Sequence, residues 1–502
     1  MREDGAAKRN VARGALWILL EVGSAEAINL VSFVVLSRIL SPADYGVAAI
    51  AGVVSALLQL LLTRGLVDAV VAQADMDEAT LSTAFWANMA LAAALFAAVQ
   101  AGADGLAWCF GQPLVAPMLR WFSLCFFTTA VTSIPLASLR RGLRFETYAI
   151  RAAIGAGVGG ALGVAMAATG FGIWSFVGAQ VGQGVASAVT VWSMGGWRPR
   201  LRFSAEALRR LAPFGAHSAS GAILDLLTTR VDVVAVGLAL DATSLGYYYL
   251  LKRLLQVATS ATIYPAFSIM MPALRGLAGE AERFNRAYIS LVSVAQASWA
   301  LIAVGLLAAT PDLVPAVFGS RWAGAVPLLQ TASLSGFAFA LVSCTSQALG
   351  ASGHARAYVP LGIAQVGATA VLVGVAAQFG VVATGAALAL SPVVLLPLNL
   401  RALRHHVGLE PSRLLRPCIR IATAGTVAAG AALLARAALV RALPGLPTPA
   451  FAAADGALCV LAYAGALRLL APGTFRELAD LARAVLPSRK FSHTPRDRVP
   501  NP

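Results

Sequence analysis

Residues 231–246 read VDVVAVGLALDATSLG, and residues 31–46 read VSFVVLSRILSPADYG. Set beneath one another at an offset of 200, they pair Val31 with Val231, Val34 with Val234, Leu40 with Leu240 and Gly46 with Gly246, and bring Ser41 opposite Asp241. Ser and Asp are both good helix N-caps, so each stretch reads as the end of one apolar helix, a tight turn and the start of the next. A second echo, at offset 210, pairs Tyr148 with Tyr358, Gly157 with Gly367, Leu162 with Leu372 and Gly170 with Gly380. Two echoes of nearly equal offset, each in the same place within its half, point to a duplicated unit.

The composition says what the unit is made of. Of 502 residues, 58% are hydrophobic and 12% charged, with a mean hydropathy of +0.75, more apolar surface than a soluble fold of this size can hide. A membrane-spanning helix needs roughly 20 mostly apolar residues. About fourteen such segments follow, centred on residues 14–38, 45–68, 80–100, 115–137, 148–168, 171–193, 212–239, 244–268, 286–308, 324–349, 356–378, 380–400, 417–437 and 449–470. The expected fold is all-α and polytopic: a tail (1–12), a six-helix lobe (13–196), a basic connector (197–210, containing WRPRLRFSAEALRR), a second six-helix lobe (211–402), two added helices (403–470) and a basic tail (471–502). Six spans is an even number, so both lobes enter from the same side and are parallel repeats, an arrangement that transporters use to rock two halves about a site between them.

The basic residues set the orientation, because short loops rich in Lys and Arg stay in the cytoplasm. With the N-terminus inside, only Arg38, Arg321, Arg436 and Arg441 of the 38 Lys and Arg fall on the outer side. Arg120, Arg230, Lys252 and Arg253 lie within spans, and the rest are inside. Both termini are therefore expected in the cytoplasm. The net charge of +15 is mostly inner-face charge suited to anionic lipid headgroups, and no motif supports nucleic-acid binding. The first apolar segment contains Glu21, Glu26 and Asn29 and reads as a retained helix rather than a signal peptide.

Charges inside the bilayer cost at least about 2.5–3.5 kcal/mol each, so they should face a partner or a wet cavity. At about 100° per residue, Asp225, Thr228 and Asp232 share one helix face, with His217 near the same line, while Arg230 points elsewhere. If the turn near residue 242 closes a tight hairpin, Asp232 and Lys252 lie at equal depth, and Tyr249, Lys252, Arg253 and Gln256 form a stripe on the second helix. Asp232 can thus meet Lys252 or Arg253. Two readings stay open: a structural ion pair, or a hydrophilic cavity in which cations attract a phosphorylated substrate and a carboxylate carries a proton or sodium ion. In the first lobe, Glu26 is the deeper candidate carboxylate, with Gln59 at similar depth across its hairpin.

Other chemistries lack their residues. There is no Gly-x-x-x-x-Gly-Lys-Ser/Thr phosphate loop, no His-Glu-x-x-His and no Gly-x-Ser-x-Gly elbow, so neither a metal, a cofactor nor an enzymatic reaction is expected. The five histidines form no ligand set, with His405–His406 read as a solvated inner loop. The five cysteines (Cys109, Cys125, Cys344, Cys418 and Cys459) read as buried apolar fillers.

Several strings, in order, carry a resemblance: GALWILL near the start, LSRILSPADYG (36–46), LRRGLRFETYAIRAAI (139–154), GFGIWSFVGAQ (170–180), WRPRLRFS (197–204), VDVVAVGLALDATSLGYYYLLKRL (231–254), PALRGL (272–277) and FGSRWAGAVPLLQ (318–330). Together they resemble the Wzx-type flippases for lipopolysaccharide and exopolysaccharide, within the multidrug/oligosaccharidyl-lipid/polysaccharide exporter superfamily, over roughly residues 10–400. The resemblance implies a bacterial inner-membrane protein that flips an undecaprenyl-diphosphate-linked oligosaccharide to the periplasm, driven by a proton or sodium gradient, beside a polysaccharide polymerase and a chain-length regulator. It implies a cationic cavity between the lobes, and it carries over onto Arg38 and Asp232. Where the family often has asparagine two residues before that aspartate, this chain has Arg230. The expected substrate ligands are Lys252, Arg253, Arg230, Arg38, Tyr249 and Gln256, and the expected ion-coupling carboxylates are Asp232, Glu26 and Asp225. The rivals are a small-cation or drug antiporter, which should prefer an acidic cavity, and a membrane-embedded polymerase or ligase, which should carry Arg and His on a long outer loop. The longest outer loops expected here, near 101–114 and 309–323, hold only Arg321 and no His.

Overall fold

The computed structural model describes residues 23–73, 77–141, 145–194, 197–277, 279–442 and 448–485. The expected N-terminal tail (1–12), the start of the first expected span with Glu21, and residues 486–502 of the C-terminal tail lie outside the described residues. Every described element is helical, as the composition requires in a medium where backbone groups must bond within their own segment. In chain order the helices are α1 (23–39), α2 (Pro42–Thr63), α3 (Gly65–Ala72), α4 (Glu78–Cys109), α5 (Val115–Phe122), α6 (Leu124–Arg141), α7 (Phe145–Ala168), α8 (Trp174–Met194), α9 (Ala205–Ala239), α10 (Ala242–Arg275), α11 (Ala281–Ala308), α12 (Thr310–Phe318), α13 (Val326–Ser333), α14 (Gly336–Ala351), α15 (Tyr358–Ala377), α16 (Val381–Val407), α17 (Pro411–Ala442), α18 (Thr448–Leu470) and α19 (Pro472–Val485).

Among the described residues nine spans are long and apolar enough to cross a membrane, or ten if the bent pair Ser320–Ser333 and Ala338–Ala351 is one. The expected count of fourteen therefore depends on four further helices that fall short of that measure. These are α1, α8 with Gln180 and Gln183, α9 with Asp225, Arg230 and Asp232, and α10 with Lys252 and Arg253. Only residues 23–39 of α1 are described, while α8 carries two glutamines and α9 three charges within its apolar stretch.

The turns form where the echoes place them. Ser41 caps α2 by accepting from the Asp44 N–H while the Asp44 carboxylate accepts from the Ser41 N–H, a closed capping box. Asp241 caps α10 by accepting from the N–H groups of Thr243 and Ser244. Gly170 and Gly380, the partners at offset 210, both adopt left-handed φ (89° and 99°) just past the ends of α7 and α15, a conformation that favours glycine at a helix C-terminus.

Two expected loops are largely helical. Residues 101–109 continue α4, and residues 309–323 form α12 and a 3-10 turn over Ser320–Ala325. His405 and His406 belong to the last turn of α16, not to a loop, and the His406 ring lies 5.0 Å from that of His354. Four cysteines are buried fillers as expected, but Cys109 is exposed at the end of α4. The connector is ordered against α4: the Trp86 indole N–H donates to the Arg200 carbonyl, Arg200 pairs with Glu78, and the Arg200 and Ser204 N–H groups donate to the Ser82 and Thr83 hydroxyls. The two ends of the molecule are called here the clasp end, which holds the α1–α2 and α9–α10 turns, and the connector end.

Candidate functional site

At the clasp end the two duplicated hairpins meet backbone to backbone. A Cβ on Gly46 of α2 would fall 1.9 Å from the Ala242 carbonyl oxygen, and one on Gly246 of α10 would fall 1.8 Å from that of Pro42. Only glycine permits that approach. Aromatic rings fill the surround: Tyr45 meets Phe33, Phe176 and Trp322 edge-on at 5.1, 4.7 and 5.1 Å, and Tyr249 lies 6.2 Å from both Phe33 and Tyr45. Donors cross between the C-terminal ends of α1 and α12. The Arg38 guanidinium donates to the Ala316 and Val317 carbonyls, Arg321 donates to Ile39 (3.2 Å), and the Trp322 indole donates to Ser37 (2.9 Å). Cations at helix C-termini also oppose the negative end of the dipole. Arg38, expected as a substrate ligand, is thus occupied in tying α1 to α12, and Tyr249 belongs to this aromatic seal.

Below the clasp lies a layer of charge. With a rise of 1.5 Å per residue, Lys252 and Arg253 sit roughly 15–18 Å along α10 from its N-cap. Asp232 is buried, with 2% of its side chain exposed, and its Oδ2 accepts from the Tyr248 hydroxyl (2.7 Å) and from Lys252 Nζ (2.8 Å). Of the two partners left open for Asp232, Lys252 is the one it meets. Arg253 turns instead to Glu26 on α1, across the boundary between the duplicated units, with Nη1 3.0 Å from Oε1. That contact lacks hydrogen-bond geometry: Glu26 Oε1 and Arg253 Nη2 are both buried without a hydrogen-bond partner. Arg230 is half-buried on α9 with no ion pair among the described residues, and Gln256 is exposed.

Toward the connector end two adjoining cavities open. One, of about 450 Å³, lies between α2–α3 and α9 and is lined by Arg64, Asp68, His217, Ser218, Asp225 and Thr229. Ser218 donates to the Asp68 carboxylate, and Gly215 packs on the Gly65 backbone, so α9 is held against α3 here. The second, of about 630 Å³, reaches into the first group of helices, where Gln59, Thr129, Tyr148, Arg151, Gln180 and Gln183 line it, and it shares Leu60, Arg64 and Asp68 with the first. Asp225 and His217 share a cavity as the helical spacing suggested. Sequence reasoning missed Arg64, Arg140 and Arg151 in the walls, because they had been read only as orientation signals at helix ends. Gln180 and Gln183, three apart on α8, were the available signal for the second cavity.

The arrangement is a closed clasp, a charge layer with an unsatisfied guanidinium, and an amide- and hydroxyl-rich chamber. The family model described as polysaccharide biosynthesis protein matches residues 35–327. Among curated proteins, the succinoglycan biosynthesis transport protein ExoT of Rhizobium meliloti (strain 1021) is 26% identical over 327 residues, 65% of this chain and 66% of that protein. The lipopolysaccharide biosynthesis protein WzxC of Escherichia coli (strain K12) is 25% identical over 63% of this chain and 65% of its own length. The chain thus matches slightly under two thirds of the length of each. Among solved structures, the lipid II flippase MurJ in an inward closed conformation superposes over 93% of this chain and 100% of its own, with a TM-score of 0.74 at 12% identity. An inward-facing multidrug resistance MATE family transporter of the MOP superfamily superposes over 78% of this chain and 98% of its own, with a TM-score of 0.62 at 13% identity. At such identities the likeness is one of fold.

Proposed function

Because the chain belongs to the polysaccharide biosynthesis protein family, we propose that it is a flippase for a lipid-linked oligosaccharide, carrying an undecaprenyl-diphosphate-linked repeat unit from the cytoplasmic to the periplasmic leaflet of the bacterial inner membrane. It acts as a transporter, not an enzyme, in keeping with the named role of ExoT and the MurJ and MATE fold. The moving parts are the lobes 13–196 and 211–402, joined by the connector 197–210, with the helices of 403–470 appended. The connector end faces the cytoplasm and the clasp end the periplasm, in line with the distribution of Lys and Arg.

The observation that carries this reading is Arg253, whose Nη2 is buried without a hydrogen-bond partner beside Lys252. An unsatisfied guanidinium N–H in a dry layer is costly, and a diphosphate supplies the paired oxygens that its planar fork fits. Lys252 adds a compact charge, and Arg230 is a further half-buried cation on α9. The amides and hydroxyls around Gln59, Gln180 and Gln183 suit the hydroxyl-rich glycan, and the chamber admits it while the clasp is shut. Opening the clasp and closing the connector end would then pass the headgroup to the other leaflet, while the polyprenyl tail stays in lipid.

Asp232 and Glu26 are the carboxylates on which a coupling proton or sodium ion would act, since each holds one of the two cations that the diphosphate needs. Asp225 lies nearer the cytoplasmic entrance. The deciding experiment extracts membranes from a deletion strain and identifies the glycolipids by mass spectrometry. A complete repeat unit on undecaprenyl diphosphate, trapped on the cytoplasmic face and cleared by the wild-type gene but not by Arg253→Ala at equal protein level, is expected. Repeat units that reach the periplasm unpolymerised in the deletion strain would overturn the reading.

A further inference from the structure

In the central charge layer each carboxylate has a cation of its own, but in a second cluster, at the clasp end of the appended helices, it does not. Arg436 of α17 donates from Nε to Asp312 Oδ2 (2.8 Å) and to Asp455 Oδ2 (3.1 Å), and its Nη2 also lies 2.8 Å from Asp312 Oδ2. One guanidinium serves two carboxylates. Asp455, on α18, is 1% exposed, and its other oxygen, Oδ1, is buried without a hydrogen-bond partner. The two carboxyl groups meet on the same guanidinium nitrogen, Arg436 Nε.

Among the described residues no other cation pairs with these carboxylates, and Arg441, further along α17, is exposed. The clasp-end half of α11 and all of α13, which pack on α12, carry no charged residue, and Arg321 is turned to the Ile39 carbonyl. Cys459, one turn along α18 from Asp455, is buried. With both acids ionised, the cluster would hold an uncompensated negative charge in a poorly solvated place, the situation that makes paired carboxylates keep a proton between them. The N-terminal turn of α12 favours the charged form at Asp312. The proton therefore belongs on Asp455, whose Oδ1 is the buried acceptor left without a partner.

We propose that Asp312 and Asp455 share one proton over Arg436, a proton-binding site that fastens α18 to α12 and, through α12, to the clasp. Asp312 lies in the first turn of α12, and the Ala316 and Val317 carbonyls one turn on are those that Arg38 holds. Release of the proton leaves two carboxylates facing each other across the α12–α18 contact and loosens the helix on which the inter-lobe clasp closes. This site is independent of what the chain carries.

The test uses the full chain in lipid nanodiscs. Infrared spectra should show a protonated carboxyl C=O absorption that disappears on alkaline titration and is missing from Asp455→Asn, whose amide is neutral at every pH. Hydrogen exchange of residues 448–462, divided by the intrinsic rate at each pH, should rise at alkaline pH in the wild type and stay flat in Asp455→Asn, which also serves as the folded control. Arg436→Gln should raise that exchange at every pH. A carboxyl band retained in Asp455→Asn, no such band in the wild type, or protection of α18 by sodium over choline in the wild type alone would each overturn the proposal.

Discussion

Gly46 and Gly246 each face the backbone carbonyl that opens the other's helix, Gly46 against Ala242 and Gly246 against Pro42, so residues 200 apart in sequence exchange the same contact. The internal duplication is thus also a self-complementary interface. Because a carbonyl cannot yield as a flexible side chain can, Gly46→Ala or Gly246→Ala should push α2 and α10 apart. The cost should be about 1–3 kcal/mol in the clasped state, the usual scale of overpacking. Spin labels on the clasp ends of the two helices should report longer distances and a larger open population. Unchanged distances in both variants would show that the contact does not hold the clasp.

Breaking the buried pair on one side should be far worse than removing it altogether. Asp232→Ala leaves Lys252 and the Tyr248 hydroxyl facing an empty acceptor position, and should cost about 3–5 kcal/mol, whereas Asp232→Ala with Lys252→Ala should recover much of that loss. Thermal unfolding of the two single variants and the double in detergent gives the coupling energy directly. A coupling near zero would mean that the pair is a bystander.

How far these sites were legible depended on whether one hairpin contained the whole answer. Equal depth on either side of the α9–α10 turn was enough to offer Asp232 and Lys252 to each other. Arg253 and Glu26 lie on different hairpins, and only the packing of α1 against α10 reveals that they meet. Arg38 was visible as a charge, but its partners are the Ala316 and Val317 carbonyls, and main-chain acceptors leave no mark in a sequence. Asp312 and Asp455 escaped notice because one sat in an expected loop and the other in the helix that resembles the family least.

Arginine and lysine should not be interchangeable at position 253. Arg253→Lys keeps the charge but loses the fork, and should weaken binding of a polyprenyl diphosphate by about tenfold or more while altering that of a polyprenyl monophosphate less, since a charge-assisted hydrogen bond is worth about 1.5–3 kcal/mol. Glu26→Gln, which frees the guanidinium from its carboxylate, should tighten the diphosphate. Titration of the purified protein by native mass spectrometry or quenching would compare the three; equal losses for both lipids in Arg253→Lys would remove the bidentate role.

Acid should act on the two equivalent turns differently. Burial pushes the Asp241 carboxyl up, but hydrogen bonds from Ser244 and Thr243 outweigh it and hold the group below its ordinary value. A carboxylate depressed in the folded protein contributes stability that is complete above its unfolded value and is lost as pH falls through the folded one. Asp241→Ser should therefore melt below the wild type near neutral pH and converge with it in acid. A gap between the two melting curves that stays constant down to strongly acidic pH would contradict this.

The seam that joins Arg200 and Ser204 to α4 limits how any rearrangement can proceed. A linker laced to Trp86, Glu78, Ser82 and Thr83 travels with the first set of helices as ballast, so it offers no slack between the two halves. The bending must then begin beyond Ser204, and α9 offers a weak point there: Pro213 interrupts its hydrogen-bond ladder two residues before Gly215 rests on the Gly65 backbone. Pro213 would be the elbow and Gly215 the bearing surface, so that the long arm of α9 swings Asp225, Arg230 and Asp232 together, as one lever.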